Sequence, residues 1–244
     1  MTKLNHRIEH SESLIAEAMS QTPCWMVSVS FGKDSCVLCH LLISHYPQIP
    51  VVFSDRGLWA ELPETYPLID LWRKRWKINY QPVFPAQNMF ELYAEIGGIP
   101  SVSAAGYRDH SIITRVNLID PMEAYMRKHA IAGNFMGRRA EENPKTRGRH
   151  LKFRGPLHYN RTLNHLTCDP LAEWRAVDVW AYIVSRDLPY HPAYDLADDR
   201  ESARLSNWCG VVNVTKGRWA YLRRDYPELF EFFRTRYPEV ARYV

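Results

Sequence analysis

The stretch Trp25-Met26-Val27-Ser28-Val29-Ser30-Phe31-Gly32-Lys33-Asp34-Ser35 decides the reading of this 244-residue chain. Trp25 to Ser30 reads as a short buried strand, Phe31 to Ser35 as a turn, and Cys36 to His45 as a helix with Leu38, Leu41 and Leu42 on its apolar side. A strand that passes through a glycine turn into a helix start aims backbone N–H groups and the positive end of the helix at an anion. Gly32 lets the backbone approach closely, and Lys33 offers a charge to a phosphate. The hydroxyls of Ser30 and Ser35 are placed to donate to phosphate oxygens, with Asp34 or Ser35 as the expected helix cap. The spacing matches neither G-x-x-x-x-G-K-[ST] nor G-x-G-x-x-G.

Outward from this turn, strands and helices alternate. Residues 8–19 have helical periodicity. Pro50 to Asp55 and Asn79 to Phe84 read as strands, with a helix from Pro63 to Lys77 between them. Helices follow near 87–96 and 118–129, then a strand from Ala130 to Met136. Gly137 to Asn164 loses all periodicity and reads as a long irregular loop, a feature that in a compact domain is usually functional or disordered. Glu173 to Arg186 is helical, Leu188 to Pro192 a rigid extended connection, and Gly217 to Tyr237 mostly helical with a break at Pro227. The alternation predicts an α/β fold: a doubly wound, mostly parallel sheet with helices on both faces and a C-terminal helical extension. The expected division is a main domain over 1–200 and the extension over 201–244.

Composition bounds the rest. Hydrophobic residues make up 46% and charged residues 24%, as in an ordinary globular protein. There is no apolar run long enough for a membrane span and no signal-peptide core near Met1, so the expectation is a cytoplasmic protein without membrane contact. The formal charge of +4 is mild but uneven: Arg138 to Arg161 holds eight basic residues against Glu141 and Glu142, a local +6 that favours an anionic partner. Five cysteines, at 24, 36, 39, 168 and 209, do not suggest a disulfide framework. Cys36-Val37-Leu38-Cys39-His40 matches the C-x-x-C-H haem pattern formally, but its place on a helix behind a phosphate turn reads as two thiols packed on a sheet, and no haem is expected.

Ser30-Phe31-Gly32-Lys33-Asp34-Ser35 resembles the S-x-G-K-D-S signature of the PP-loop ATP pyrophosphatases, the adenine nucleotide α-hydrolases that cleave ATP between its α and β phosphates. Two further segments resemble the phosphoadenosine-phosphosulfate (PAPS) reductase-like branch of that superfamily. Gly137-Arg138-Arg139-Ala140-Glu141-Glu142 is similar to its G-x-R-x-x-E/D motif. Asp169 to Trp174, Asp178-Val179-Trp180 and Leu188 to Asp195 are similar to its P-L-x-x-W, D-V-W and L-P-x-x-P-x-Y-D block.

The resemblance implies ATP as ligand. Ser30, Gly32, Lys33, Asp34 and Ser35 would hold the β and γ phosphates, with Ser28, Phe31 and Gly137 counted among the nucleotide-binding residues. Ser54 and Asp55 would lie by the adenosine. Lys33, Arg138 and Arg139 would be catalytic, the arginines at the α-phosphate, where positive charge stabilises the transition state. Mg²⁺ would ride on phosphate oxygens, with Asp34 as its expected protein ligand. Trp174, Trp180, Tyr190 and Tyr194 are read as core anchors, and Asp169 and Asp195 as helix caps. Arg147, Arg149 and Lys152 are read as a lid or a landing strip for a second substrate.

Departures from the subfamilies shape the functional expectation. The chain ends Pro238 to Val244 without the Glu-Cys-Gly-x-His tail of the PAPS reductases, and it keeps Lys33, which those reductases usually lack. Cys209 stands alone where iron–sulfur relatives carry paired cysteines, so no iron–sulfur cluster is expected. The leading expectation is an ATP pyrophosphatase that adenylates an anionic acceptor for sulfur incorporation into nucleic acid, as in DNA phosphorothioation. DNA would lie on the basic segment, with a cysteine desulfurase or other sulfur-modification subunits as partners. The alternatives are the catalytic subunit of a sulfate adenylyltransferase, a PAPS or adenylylsulfate reductase, and a non-catalytic nucleotide-binding subunit.

Overall fold

A computed structural model describes residues 3–99, 104–197 and 217–244. By contact, the described residues form two compact units. Of the described residues, the first draws on 3–53, Glu64–Val83 and 123–197; the second on Ser54–Pro63, 84–99, 104–122 and 217–244.

The first unit is built on a six-stranded sheet in the order β3-β2-β1-β4-β6-β5. The strands are β1 (Trp25–Ser28), β2 (Pro50–Ser54), β3 (Asn79–Val83), β4 (Gly133–Met136), β5 (Leu157–Asn160) and β6 (His165–Cys168). β1 runs parallel to both β2 and β4, and β4 parallel to β6; β5 pairs antiparallel with β6 at one edge. The chain therefore starts at β1, winds outward to β2 and β3, and returns to the other side of β1 with β4. That reversal is the topological switch point, where a doubly wound sheet opens a crevice at the carboxyl ends of its strands. Here it falls between the strand leading into the glycine turn and the strand leading into the arginine motif.

Helices α1 (Lys3–Gln21), α2 (Lys33–His45), α3 (Thr65–Trp76) and α8 (Ala176–Ser185) cover the sheet. α2 is short of polar faces because both sides are used: Cys36, Val37, Leu38, Cys39, Leu41 and Leu42 are all buried. α8 packs on α2 and α1. Trp72 on α3 is fully buried, and its indole N–H donates to the Pro189 carbonyl at 3.2 Å, which ties the rigid 188–192 connection to the core. At Gly133 an added Cβ would fall 2.4 Å from the Trp25 ring, so β4 can lie beside β1 only with glycine at its start.

The second unit has a core of its own. Within it lie α4 (Met89–Glu95), α5 (Ala104–Thr114), a π-helical turn Arg115–Ile119, and helices α9 (Arg218–Asp225) and α10 (Pro227–Arg236). α6 (Asp120–Lys128) begins in this unit and ends in the first. Phe233 is fully buried and packs against Trp219, Phe90 and Tyr237.

Three expectations need correction. The segment 137–164 is not irregular: it holds a π-helical turn (Pro144–Gly148), α7 (Arg149–Arg154) and β5. These elements are too short to show a period, and each is secured by contacts the sequence does not display. Leu151 is the one buried anchor of α7, and β5 exists by pairing with β6. His165-Leu166-Thr167-Cys168 is half polar and carries no strand signal, yet it forms β6, an interior strand parallel to β4 and antiparallel to β5. The expected strand from Ala130 begins only at Gly133, since Ala130 takes a left-handed φ of 51°.

Candidate active site

β1 and β4 pair in register, Ser28 opposite Met136, so Val29 and Gly137 leave the sheet side by side. The turn and the arginine motif are thus brought together by strand pairing. A Cβ on Gly137 would stand 3.1 Å from the Asp34 carbonyl oxygen and 3.2 Å from both the Asp34 carbonyl carbon and Ser35 Cα. The motif opens with glycine because its backbone lies directly against the first turn of α2.

The turn is held by its own side chains. Phe31 has a φ of 53° and a fully buried ring packed edge-on against Phe53 and Trp72. A left-handed phenylalanine costs about 1–3 kcal/mol, which the surrounding core must offset. Its ring belongs to the core, so only the backbone of Phe31 is left for a ligand. Ser35 Oγ accepts the Ser30 N–H at 3.2 Å and donates to the Gly32 carbonyl at 2.9 Å. The helix cap is therefore Gly32, with no side-chain capping bond; Asp34 and Ser35 do not cap as expected. Ser28 Oγ donates to Asn134 Oδ1 at 2.9 Å, linking the end of β1 to the interior of β4.

A chain of alternating charges runs through the site. Lys33, only 3% exposed, places Nζ 2.9 Å from Asp34 Oδ2. Asp34 Oδ1 receives Arg139 Nε at 2.5 Å. Arg139, 2% exposed, turns Nη1 to Glu141 Oε2 at 2.7 Å, and that same oxygen accepts the Ala176 N–H at the start of α8 at 2.6 Å. Burial works against the Arg139 charge, but Asp34 together with Glu142 and Glu141 outweighs it and raises its pKa. Arg138 is forked on Asp169, Nε and Nη2 each 2.6 Å from a carboxylate oxygen. Asp169 is completely buried, and burial pushes its carboxyl up against the pull of Arg138. Asp169 is therefore an ion-pair partner and not a helix cap. Arg147 pairs with Glu142.

Of the residues predicted from sequence, Ser28, Ser30, Phe31, Gly32, Lys33, Asp34, Ser35, Gly137, Arg138 and Arg139 come together around the switch point. Ser54 and Asp55 fall at the end of β2 and in the second unit. There Ser54 Oγ donates to the Asn117 carbonyl at 2.7 Å, and Asp55 Oδ1 accepts the Gly57 N–H at 2.9 Å. Tyr194, read as a core anchor, does more than fill space: its buried hydroxyl accepts the Lys33 backbone N–H at 3.1 Å. A Cβ on Gly32 would lie 3.3 Å from the same oxygen.

The thiols among the described residues are mostly inert. Burial drives the Cys36 and Cys168 pKa values well up and that of Cys39 to about 12, as fits thiols packed on a sheet; Cys24 is exposed. Cys209 lies outside the described residues. No cluster of three or more His, Cys, Asp or Glu side chains that could hold a metal ion occurs among the described residues. Nor is any described helix long and apolar enough to cross a membrane.

A doubly wound sheet with a glycine–lysine turn at its switch point, faced by an arginine motif, defines an α/β nucleotide-binding protein of the PP-loop type. The chain belongs to the phosphoadenosine phosphosulfate reductase domain family, whose model matches residues 24–235. A phosphoadenosine 5'-phosphosulfate reductase of Xanthomonas euvesicatoria is 29% identical over 196 residues, 79% of this chain and 76% of the relative. The crystal structure of PAPS reductase from Candida auris in a phosphate complex superposes with a TM-score of 0.60 at 15% identity, over 80% of this chain and 92% of that one. A U34-tRNA thiolase of Methanococcus maripaludis with its [4Fe-4S] cluster gives a TM-score of 0.55 at 12% identity, over 98% of this chain and 78% of that one. Both neighbours are of the PP-loop ATP pyrophosphatase superfamily.

Proposed function

We propose that this chain is an enzyme acting on an adenylyl anhydride, a nucleotide whose α-phosphate carries a second acid group, and that the turn Ser30–Ser35 seats that distal group. The observation that carries the reading is the buried Lys33–Asp34–Arg139 chain at the switch point. Two cations share the one Asp34 carboxylate, so an arriving anion can draw Lys33 from Asp34 while Arg139 keeps the carboxylate paired.

Two substrates fit this chemistry. The relatives' names favour phosphoadenosine phosphosulfate, which a thiolate attacks at sulfur, releasing the nucleotide. Cys36, Cys39 and Cys168 do not qualify as that thiolate, since burial keeps them protonated, and Cys24 or Cys209 would have to serve. Lys33 favours ATP instead. An acceptor oxygen then attacks the α-phosphorus, the α–β bridging bond breaks, and Lys33 with the turn amides neutralises the departing pyrophosphate. Both Asp34 oxygens are engaged by Lys33 and Arg139, so a magnesium ion would be held chiefly by phosphate oxygens, with Asp34 as its candidate protein ligand, and would supply charge neutralisation at the phosphates.

Product analysis separates the readings. The protein is incubated with ATP and Mg²⁺, and separately with phosphoadenosine phosphosulfate and a dithiol. AMP with pyrophosphate assigns ATP; sulfite with adenosine bisphosphate, lost in Cys209→Ser or Cys24→Ser, assigns reduction. Neither product, with neither nucleotide bound, would sink the proposal.

A further inference from the structure

We propose that α7 and the turn before it form a binding surface for single-stranded nucleic acid, with Phe153 as its stacking platform. From Asn143 to Asn164 the chain has no acidic residue. Arg147 is neutralised by Glu142, but Lys145, Arg149, Lys152, Arg154 and Arg161 are exposed, and none forms an ion pair with a carboxylate among the described residues. Arg149, Lys152 and Phe153 stand at i, i+3 and i+4 on one face of α7, while Leu151 anchors the helix from its buried side. Phe153 is 88% exposed, the most exposed large apolar side chain among the described residues.

A flat ring in water among unpaired cations matches a strand whose phosphates take the cations and whose unstacked base covers the ring. A duplex offers phosphates but keeps its bases stacked away from the ring. An anionic membrane calls for an apolar face, and this helix offers solvent one ring. The surface is distinct from the paired charges of the nucleotide site, and binding here holds whichever anhydride that site accepts.

The test is fluorescence anisotropy of a labelled single strand of about 20 nucleotides, as DNA and as RNA, beside the DNA duplex and anionic vesicles, with no nucleotide present. Single-strand affinity, for either sugar, should fall with salt by a log–log slope of about 0.7 per phosphate contacted. It should drop about tenfold or more in Phe153→Ala and recover in Phe153→Trp. Arg149→Glu with Lys152→Glu should remove it while the circular dichroism spectrum is unchanged. Equal affinity for single strand and duplex, indifference to Phe153→Ala, or capture by vesicles alone overturns the proposal.

Discussion

The Tyr194 hydroxyl oxygen sits 3.1 Å from the Lys33 backbone nitrogen and accepts its N–H. Burial, with Asp34 adding to it, raises the Tyr194 pKa far above working pH, so the acceptor is a neutral hydroxyl. That N–H belongs to the first turn of α2, whose free amides are the ones an anion would use. Tyr194 thus occupies a donor that the distal acid group of a substrate would otherwise take.

Tyr194→Phe removes this competitor and leaves the ring. One hydrogen bond contributes about 0.5–1.5 kcal/mol net, so inorganic pyrophosphate should bind roughly 2- to 10-fold tighter in the variant. Isothermal titration calorimetry reads this directly; weaker binding would instead make the hydroxyl a ligand contact.

Arg139→Ala should be the most damaging change in the site. Arg139 is 2% exposed and serves Asp34 and Glu141 together. Removing one partner of a buried pair costs about 3–5 kcal/mol, because the largely buried Asp34 carboxylate then keeps only Lys33. Lys33→Met keeps the alkyl stem and leaves Asp34 paired with Arg139, so it should abolish turnover at a far smaller loss of stability. Urea denaturation beside an activity assay distinguishes the two; equal destabilisation would refute the difference in role.

Gly137→Ala places a methyl against the backbone of Asp34 and Ser35, which cannot rotate aside. Overpacking of this kind costs about 1–3 kcal/mol. The variant should lose thermal stability and pyrophosphate affinity together, because the shift moves the arginine motif off the turn. An unchanged melting temperature would contradict the close approach.

Stability should fall as the pH drops from about 6.5 toward 4. Burial, then Arg186 and Arg75, pull the His40 pKa down to about 4, and its Nδ1 lies 2.9 Å from the Tyr182 hydroxyl. In that window the unfolded chain binds a proton that the folded chain refuses, so acid favours unfolding. His110, His150, His158 and His165 are also lowered by burial and act in the same direction. Urea midpoints should therefore be lower at pH 5 than at pH 7.5, with a smaller difference in His40→Gln.

Much of the fold was legible because local signals agreed. Trp25 to Ser28 and Pro50 to Ser54 are continuous apolar runs bounded by breakers, and α2 keeps an apolar side long enough to be seen. The end of β1, Gly32 and Lys33 marked the anion turn for the same reason: its chemistry is confined to eight consecutive residues. β6 and α7 were not legible, since neither carries a period and each depends on a neighbour distant in sequence.

The site divides in the same way. Residue type and spacing determined by themselves that a glycine–lysine turn would follow one strand and a basic segment another; the family resemblance marked that segment's start as an arginine motif. Only the tertiary structure decided that these strands are adjacent. It also decided that Asp169 lies buried beneath Arg138, that Arg139 faces Asp34 rather than solvent, and that the Tyr194 hydroxyl reaches Lys33. Those contacts join residues 31, 105 and 161 positions apart. No local preference encodes such pairs. They arise when the sheet's winding order brings charged groups out of water together, and each must then find its partner.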